Sequence, residues 1–186
     1  MNAGYQAEYV RFKNAGWALI KVPGEASDYT DADLNSFLTL ADVMATGYHA
    51  AASAEVKEGD TVVVMGDGAV GFCGVIAARM RGAKRIIAMS RHVDRQELAL
   101  EFGATDIVAE RGDEAVAKVM AMTHGSGAGA ALECVGTQLS LDTAAKVCRP
   151  GAIVGRVGVP YGEDVDTSIL FWKNVGLRGG VAPVTT

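Results

Sequence analysis

The chain has 186 residues, of which 49% are hydrophobic and 21% are charged, as is usual for a globular protein with one sizeable core. Its 17 basic and 22 acidic residues give a net charge of −5, which offers no broad basic surface to nucleic acid. No apolar run reaches about 18 residues and no basic-then-apolar leader is visible, so we expect neither a membrane span nor export. The three cysteines lack CxxC spacing, which favours the reducing cytoplasm.

The first 40 residues do not alternate regularly between strands and helices. Residues 5–12 alternate like a half-exposed strand, residues 18–23 resemble a second strand, and a polar loop is predicted at 24–33. Two strands cannot bury a core alone. We therefore predict that residues 1–40 are the β edge of a second domain that is mostly absent, and that 41–186 form the main domain.

A regular pattern of short apolar runs and helical segments follows. After a helix at 38–52, strands are predicted at 61–65, 85–89, 106–108, 129–134, 152–159 and 175–181, with helices at 70–81, 94–102, 113–122 and 139–148. Strands separated by helices of about ten residues indicate right-handed βαβ units. The predicted fold is α/β, a doubly wound parallel sheet of the Rossmann type. No helix is predicted after the last strand, so we expect this domain to be truncated at its C-terminus.

The first predicted strand leads into a glycine loop that is typical of dinucleotide-binding sites. Gly66 permits the tight turn, Gly68 lets backbone amides approach a pyrophosphate, and Gly71 lets the next helix pack closely on the strand. Ala69 and Val70 begin that helix, whose N-terminus attracts phosphates. A strand before the glycines and a helix after them make this motif specific.

The end of the second predicted strand indicates which dinucleotide is bound. An NAD site places a carboxylate about 20 residues past the glycines, whereas this chain has Ser90 and Arg91 there and no carboxylate before Asp94. A guanidinium and a hydroxyl suit a 2′-phosphate. We therefore predict NADP(H) in preference to NAD(H). The alternative is that Ser90 and Arg91 only begin a surface loop.

Asp42 lies in a helical, apolar context, where a charge is costly unless it is paired, hydrogen-bonded or bound to a metal. It is either a helix cap, an ion-pair partner or a metal ligand. His49, seven residues later, could share its face but fits a structural role better. These residues do not supply the four ligands of a zinc site.

Five segments together carry a family resemblance. They are residues 41–48 (ADVMATGY), 66–71 (GDGAVG), 101–106 (EFGATD), 133–136 (ECVG) and 157–160 (VGVP). In this order and spacing they resemble the zinc-dependent alcohol dehydrogenases of the medium-chain dehydrogenase/reductase family. The resemblance implies an oxidoreductase that exchanges hydride between NAD(P)H and an alcohol, aldehyde or ketone. It also implies a catalytic zinc between a GroES-like domain and the cofactor domain.

The resemblance also assigns roles by motif position. Asp42 matches a zinc ligand, and Thr46, the catalytic residue that we expect here, lines the nicotinamide together with Val70. The remaining matches are Val157, Gly158 and Val159 at the carboxamide, Val135 and Gly136 beside the adenosine, and Ser90 and Arg91 at the 2′-phosphate. Zinc in such enzymes acts as a Lewis acid.

The family's other zinc ligands, a cysteine and a histidine-glutamate pair, lie in an upstream region that this chain lacks. We therefore expect it to bind NADP(H) but to hold zinc poorly and to turn over little or no substrate. Two alternatives stay open: a zinc-independent quinone or enoyl reductase of the same superfamily, and a non-catalytic dinucleotide-binding module. Residues 176–180 form a predicted sheet edge, which favours a homodimer or larger homo-oligomer.

Overall fold

The computed structural model describes residues 7–183, and within them it confirms the predicted doubly wound sheet. Six parallel strands in this part of the chain follow the order β3-β2-β1-β4-β5-β6. Their bounds are β1 Thr61–Met65, β2 Arg85–Met89, β3 Asp106–Val108, β4 Ala128–Glu133, β5 Cys148–Arg156 and β6 Gly176–Gly179. The strand order reverses between β1 and β4, and ligands of such sheets bind at the carboxyl edge beside that reversal.

The helices cover both faces of the sheet. They are α1 Ala15–Ala18, α2 Asp31–Leu40, α3 Val43–Ser53, α4 Ala69–Met80, α5 Val93–Glu101, α6 Gly112–Met122, α7 Gln138–Val147 and α8 Thr167–Lys173, with a short 3₁₀ helix at Ala26–Asp28. None of the helices within 7–183 is long and apolar enough to cross a membrane.

Alternate residues of β1 serve two separate cores. Val62 and Val64 pack with α3, α4 and α5, whereas Val63 and Met65 pack on the opposite face with α6 and α7. All four side chains are buried. A strand buried on both faces explains why residues 61–65 read as a continuous apolar run.

Helices α3 and α4 run side by side in the same direction. The backbone of Gly47 lies so close to Cys73 that a Cβ at Gly47 would overlap its main chain. Val56 lies just after α3 and Arg81 just after α4. The Val56 carbonyl accepts a hydrogen bond of 3.1 Å from Nε of Arg81. The first turn of α3 therefore lies at the same edge of the sheet as the glycine loop.

The two strands predicted near the N-terminus are wrong within the described residues. Between residues 7 and 40 the chain forms helices and irregular segments, and no strand there joins the sheet. Residues 5 and 6 of the first predicted strand lie outside the described part. Alternating polarity indicates a strand only when a partner strand satisfies its backbone, and these residues have none.

Other boundaries also differ from the prediction. The loop predicted at 24–33 contains the start of α2, where the Thr30 hydroxyl accepts from the Asp33 N–H and the Asp33 carboxylate accepts from the Thr30 N–H. The helix predicted at 38–52 is divided at Ala41 and Asp42 between α2 and α3. Helix α8 was not predicted at all.

Candidate dinucleotide-binding site

The glycine loop between β1 and α4 has three glycines with three distinct environments. Gly66 has a φ of +110°, a conformation that L side chains rarely adopt. A Cβ at Gly71 would overlap the carbonyl oxygen of Gly66, so this position keeps helix and strand close. Gly68 caps α4, and a Cβ added there would meet no atom within 4 Å. This open space above the helix N-terminus fits the approach of a pyrophosphate.

A pocket lies beside this loop, where β1, β2, β3 and β4 end. Of the residues predicted to bind the cofactor, Gly66, Ser90, Arg91 and Val135 line it. Ala69, exposed, and Val70, half-buried, lie in the first turn of α4. The structure thus brings four of the residues predicted at the phosphates and the adenosine to one cavity.

Asp67, inside the glycine loop, contacts the predicted 2′-phosphate residue directly. The Ser90 hydroxyl donates a hydrogen bond of 2.8 Å to Asp67, and Nη1 of Arg95 lies 3.2 Å from the same carboxylate. Burial favours the neutral acid, but the bonds from Ser90 and Arg95 outweigh burial and lower the pKa of Asp67. A carboxylate therefore does lie at the end of β2, but the glycine loop supplies it. The sequence signal was an aspartate between the first two glycines.

Four ionisable side chains line the pocket: Asp67, Arg91, Glu110 and Arg111. Both carboxylate oxygens of Glu110 lie 2.9 Å from the Lys118 ammonium, whose hydrogen bond lowers the pKa of Glu110. The two carboxylates thus have their own cations, Arg95 and Lys118. Arg111, which lies three residues beyond β3, was not among the residues predicted to line the site.

Glu133, at the end of β4, holds together two segments predicted to contact the cofactor. Its side chain is fully buried, and Oε1 accepts hydrogen bonds from the N–H groups of Val135 at 2.9 Å and Gly136 at 2.8 Å. Its main-chain carbonyl accepts from the N–H groups of Val157 at 2.9 Å and Gly158 at 3.1 Å. One residue therefore positions the loops that follow both β4 and β5.

The second oxygen of Glu133 faces a buried cation. Arg156 Nε lies 3.6 Å from Glu133 Oε2, and Arg156 Nη2 lies 3.1 Å from Glu163. Burial opposes ionisation of Glu163, but backbone hydrogen bonds and Arg156 outweigh it and lower the pKa of Glu163. Arg156 thereby ties the end of β5 to the loop that precedes α8.

The predicted nicotinamide segment lies apart from the first pocket. A Cβ at Gly136 would overlap the Val159 carbonyl, and one at Gly158 would overlap the Gly136 nitrogen. Gly158 lines a second, open concavity together with Arg156 and Arg178. The Val159 side chain is exposed. Close packing of Gly136 and Gly158 thus fixes the predicted nicotinamide segment relative to the residues predicted to lie beside the adenosine.

Asp42 and Thr46 form a pair at the start of α3. The Thr46 hydroxyl donates a hydrogen bond of 3.0 Å to Asp42 Oδ1, and the Asp42 side chain does not cap the helix. His49 Nε2 lies 3.5 Å from the Ser53 hydroxyl instead. Within residues 7–183 no group of three or more His, Cys, Asp or Glu residues could hold a metal ion. The described residues therefore do not form a zinc site by themselves.

Comparison with known proteins identifies the family. Residues 69–182 match the family model described as zinc-binding dehydrogenase. An alcohol dehydrogenase from Cupriavidus necator is 35% identical over 87% of this chain and 42% of its own length. An NADP-dependent isopropanol dehydrogenase from Thermoanaerobacter brockii is 32% identical over 91% of this chain and 54% of its own.

A solved structure shows the same arrangement. The apo form of zinc-dependent alcohol dehydrogenase 2 from Streptococcus pneumonia is 28% identical, with a TM-score of 0.84 over 97% of this chain and 51% of that protein. This chain thus spans about half the length of the curated relatives it matches. The chain therefore belongs to the zinc-binding dehydrogenase family.

Proposed function

We propose that this domain binds NADP(H) in preference to NAD(H) and serves a dehydrogenase that interconverts alcohols with aldehydes or ketones. The observation that carries the proposal is the pocket beside the glycine loop, where Ser90 and Arg91 follow β2. Arg91 is exposed and has no ion pair among residues 7–183, so its guanidinium is available to a phosphate. The name of the Thermoanaerobacter brockii relative supports NADP.

Asp67 works against this preference, and its environment limits the effect. Its carboxylate would repel a 2′-phosphate if it stood alone, but Arg95 pairs with it at 3.2 Å. Ser90 is 4% exposed and its hydroxyl already donates to Asp67, so this hydroxyl can accept a hydrogen bond but not donate a second one. Arg91 therefore makes the main contribution to binding a 2′-phosphate.

The bound nicotinamide would supply the hydride donor or acceptor. Residues of this chain would orient the nicotinamide ring. The N–H groups of Val157 and Gly158 are already bonded to the Glu133 carbonyl, whereas that of Val159 has no hydrogen-bond partner in the described part of the chain. We expect the Val159 N–H to hold the carboxamide oxygen. Thr46 and Val70, both half-buried near the starts of α3 and α4, would line the ring.

We propose that Asp42 is one zinc ligand of the complete enzyme and that this chain alone has little or no activity. Support comes from the lack of further ligands near Asp42 among the described residues. A metal assay on the purified chain, paired with an alcohol-oxidation assay, tests this. Zinc at one equivalent per chain together with turnover would contradict it.

We also propose that residues 1–40 belong to a catalytic domain and that the chain self-associates through β6. Trp17, Ile20 and Leu38 are 76%, 77% and 75% exposed, as expected of side chains that pack on a second domain. Strand β6 is an edge strand that pairs only with β5 within residues 7–183. Light scattering of the wild type and a Leu177→Pro variant tests the second point, because proline removes a backbone donor from that edge.

Titration of the wild type and Arg91→Ala with NADPH and with NADH tests the cofactor preference. We expect tighter binding of NADPH by the wild type and a loss of about tenfold in Arg91→Ala, with NADH affinity unchanged. Equal affinity of the wild type for both nucleotides would refute the proposal.

A further inference from the structure

The pocket beside the glycine loop is lined by a second arginine, which lies in the segment that follows β3. Arg111 precedes α6 and lines the pocket together with Arg91. The two arginines follow strands that are paired in the sheet, since Met89 of β2 lies opposite Val108 of β3. The Ser90 N–H also donates a hydrogen bond of 3.1 Å to the Val108 carbonyl. The geometry thus brings both guanidinium-bearing segments to one end of the pocket.

The charges around the pocket leave these arginines uncompensated. Asp67 is paired with Arg95 at 3.2 Å and Glu110 with Lys118 at 2.9 Å. Neither Arg91 nor Arg111 has an ion pair or a side-chain hydrogen bond within residues 7–183. Each carboxylate is therefore neutralised by its own cation. Two positive charges remain for a ligand that carries about two negative charges, as a phosphate monoester does near neutral pH.

We propose that Arg111 is a second ligand of the cofactor's 2′-phosphate and a determinant of specificity for NADP(H), acting from the segment that follows β3. This inference rests on the proposed function, because it requires an adenosine with a 2′-phosphate in the pocket. An unphosphorylated ribose would leave both guanidinium groups in water and would gain nothing from Arg111.

Arg111 is a good position for a test because its side chain makes no hydrogen bond or ion pair with the other residues between 7 and 183. It precedes α6 without a side-chain capping bond, and its side chain is exposed. Arg111→Ala and Arg111→Gln should therefore fold like the wild type. Arg149→Ala is the matched control, because it removes the same charge beside Asp60, which precedes β1 at the opposite edge of the sheet.

The experiment titrates wild type, Arg111→Ala, Arg111→Gln and Arg149→Ala with NADPH, NADH, adenosine 2′,5′-bisphosphate and 5′-AMP. We expect both Arg111 variants to bind NADPH and the bisphosphate about five- to tenfold more weakly, with NADH and 5′-AMP unchanged. Arg149→Ala should match the wild type. The salt dependence of NADPH binding should become shallower in the Arg111 variants.

Three results would overturn the assignment, and they are distinguishable. If the wild type prefers NADPH and the Arg111 variants keep the full preference, Arg111 is not a phosphate ligand and the proposed function stands. An equal loss for all four nucleotides would likewise refute a contact with the 2′-phosphate. If the wild type binds NADPH and NADH equally, the proposed NADP(H) function fails together with this inference.

Discussion

The N–H group of Gly136 donates a hydrogen bond of 2.8 Å to Oε1 of Glu133, three residues earlier and fully buried. The same oxygen accepts from the Ser140 hydroxyl at 2.7 Å, in the first turn of α7. A single carboxylate thus holds the turn after β4 against both the helix that follows and, through Arg156, the end of β5. Buried polar groups therefore hold in place the backbone segments that are predicted to contact the cofactor.

Replacing Glu133 by alanine should lower the free energy of unfolding by about 3–5 kcal/mol, because it leaves the N–H groups of Val135 and Gly136 unpaired and removes one of the two carboxylates that face Arg156. Urea denaturation at pH 7 measures this change. Glu97→Ala, at an exposed position of α5, is the control and should stay within about 0.5 kcal/mol of the wild type. A similar small effect of Glu133→Ala would show that the buried pair contributes little.

Two glycines of the loop should respond differently to alanine. Gly68→Ala meets no neighbouring atom, so its stability should stay within about 1 kcal/mol of the wild type while NADPH affinity falls at least about tenfold. Gly71→Ala forces a methyl group onto the Gly66 carbonyl and should cost about 1–3 kcal/mol of stability. Thermal denaturation and NADPH titration separate the two effects. Normal NADPH binding by Gly68→Ala would place the pyrophosphate elsewhere.

The ion pair between Asp106 and Arg85 should make the stability of the protein depend on pH. Hydrogen bonds from Arg85 at 2.9 and 2.7 Å lower the pKa of Asp106, and partial burial opposes them less strongly. A lowered pKa in the folded state means that the stabilisation is present above the unfolded pKa of about 3.9 and is lost as pH falls through the folded pKa.

Asp106→Asn should therefore cost about 1–2 kcal/mol at pH 7, and this difference should shrink below about pH 4. Urea denaturation of both proteins, from about pH 2.5 to about pH 7, measures this difference in the free energy of unfolding. A difference that is constant with pH would mean that the Arg85 pair does not depend on ionised Asp106.

The cysteines should be inert in the folded protein. Burial raises the pKa of Cys73 and Cys134, and raises the pKa of Cys148 to about 12. The reactive thiolate form is therefore disfavoured in the folded protein. A disulfide reagent should react much more slowly with the native protein than with the urea-unfolded chain. Rapid reaction of any thiol in the native state would contradict this burial.

Sequence patterns predicted the central fold because local and global signals agree there. Strands β1, β2 and β3 begin and end at the predicted residues, since each is a short apolar run bounded by turn residues. The roles of Gly66 and Gly71 were also predictable, because turn geometry and helix packing require glycine whatever the ligand.

The remaining features depend on contacts between distant residues. Nothing local indicates that Asp67 would meet Ser90, 23 residues later, or that Glu133 would pair with Arg156. The strands predicted near the N-terminus failed because a strand needs a partner that the pattern cannot supply. By contrast, the start of α2 could have been recognised from Thr30 and Asp33, which have capping-box spacing.

Backbone amide chemical shifts of the isotope-labelled protein, followed during an NADPH titration, test the placement of the dinucleotide most directly. We predict saturable shifts in Gly66–Gly71, Ser90–Arg91 and Val135–Gly136, all near the carboxyl edge of the sheet. NADH should move the glycine-loop amides in the same direction but saturate at higher concentration. No saturable shift in the glycine loop, or saturation at equal concentrations of the two nucleotides, would contradict these predictions.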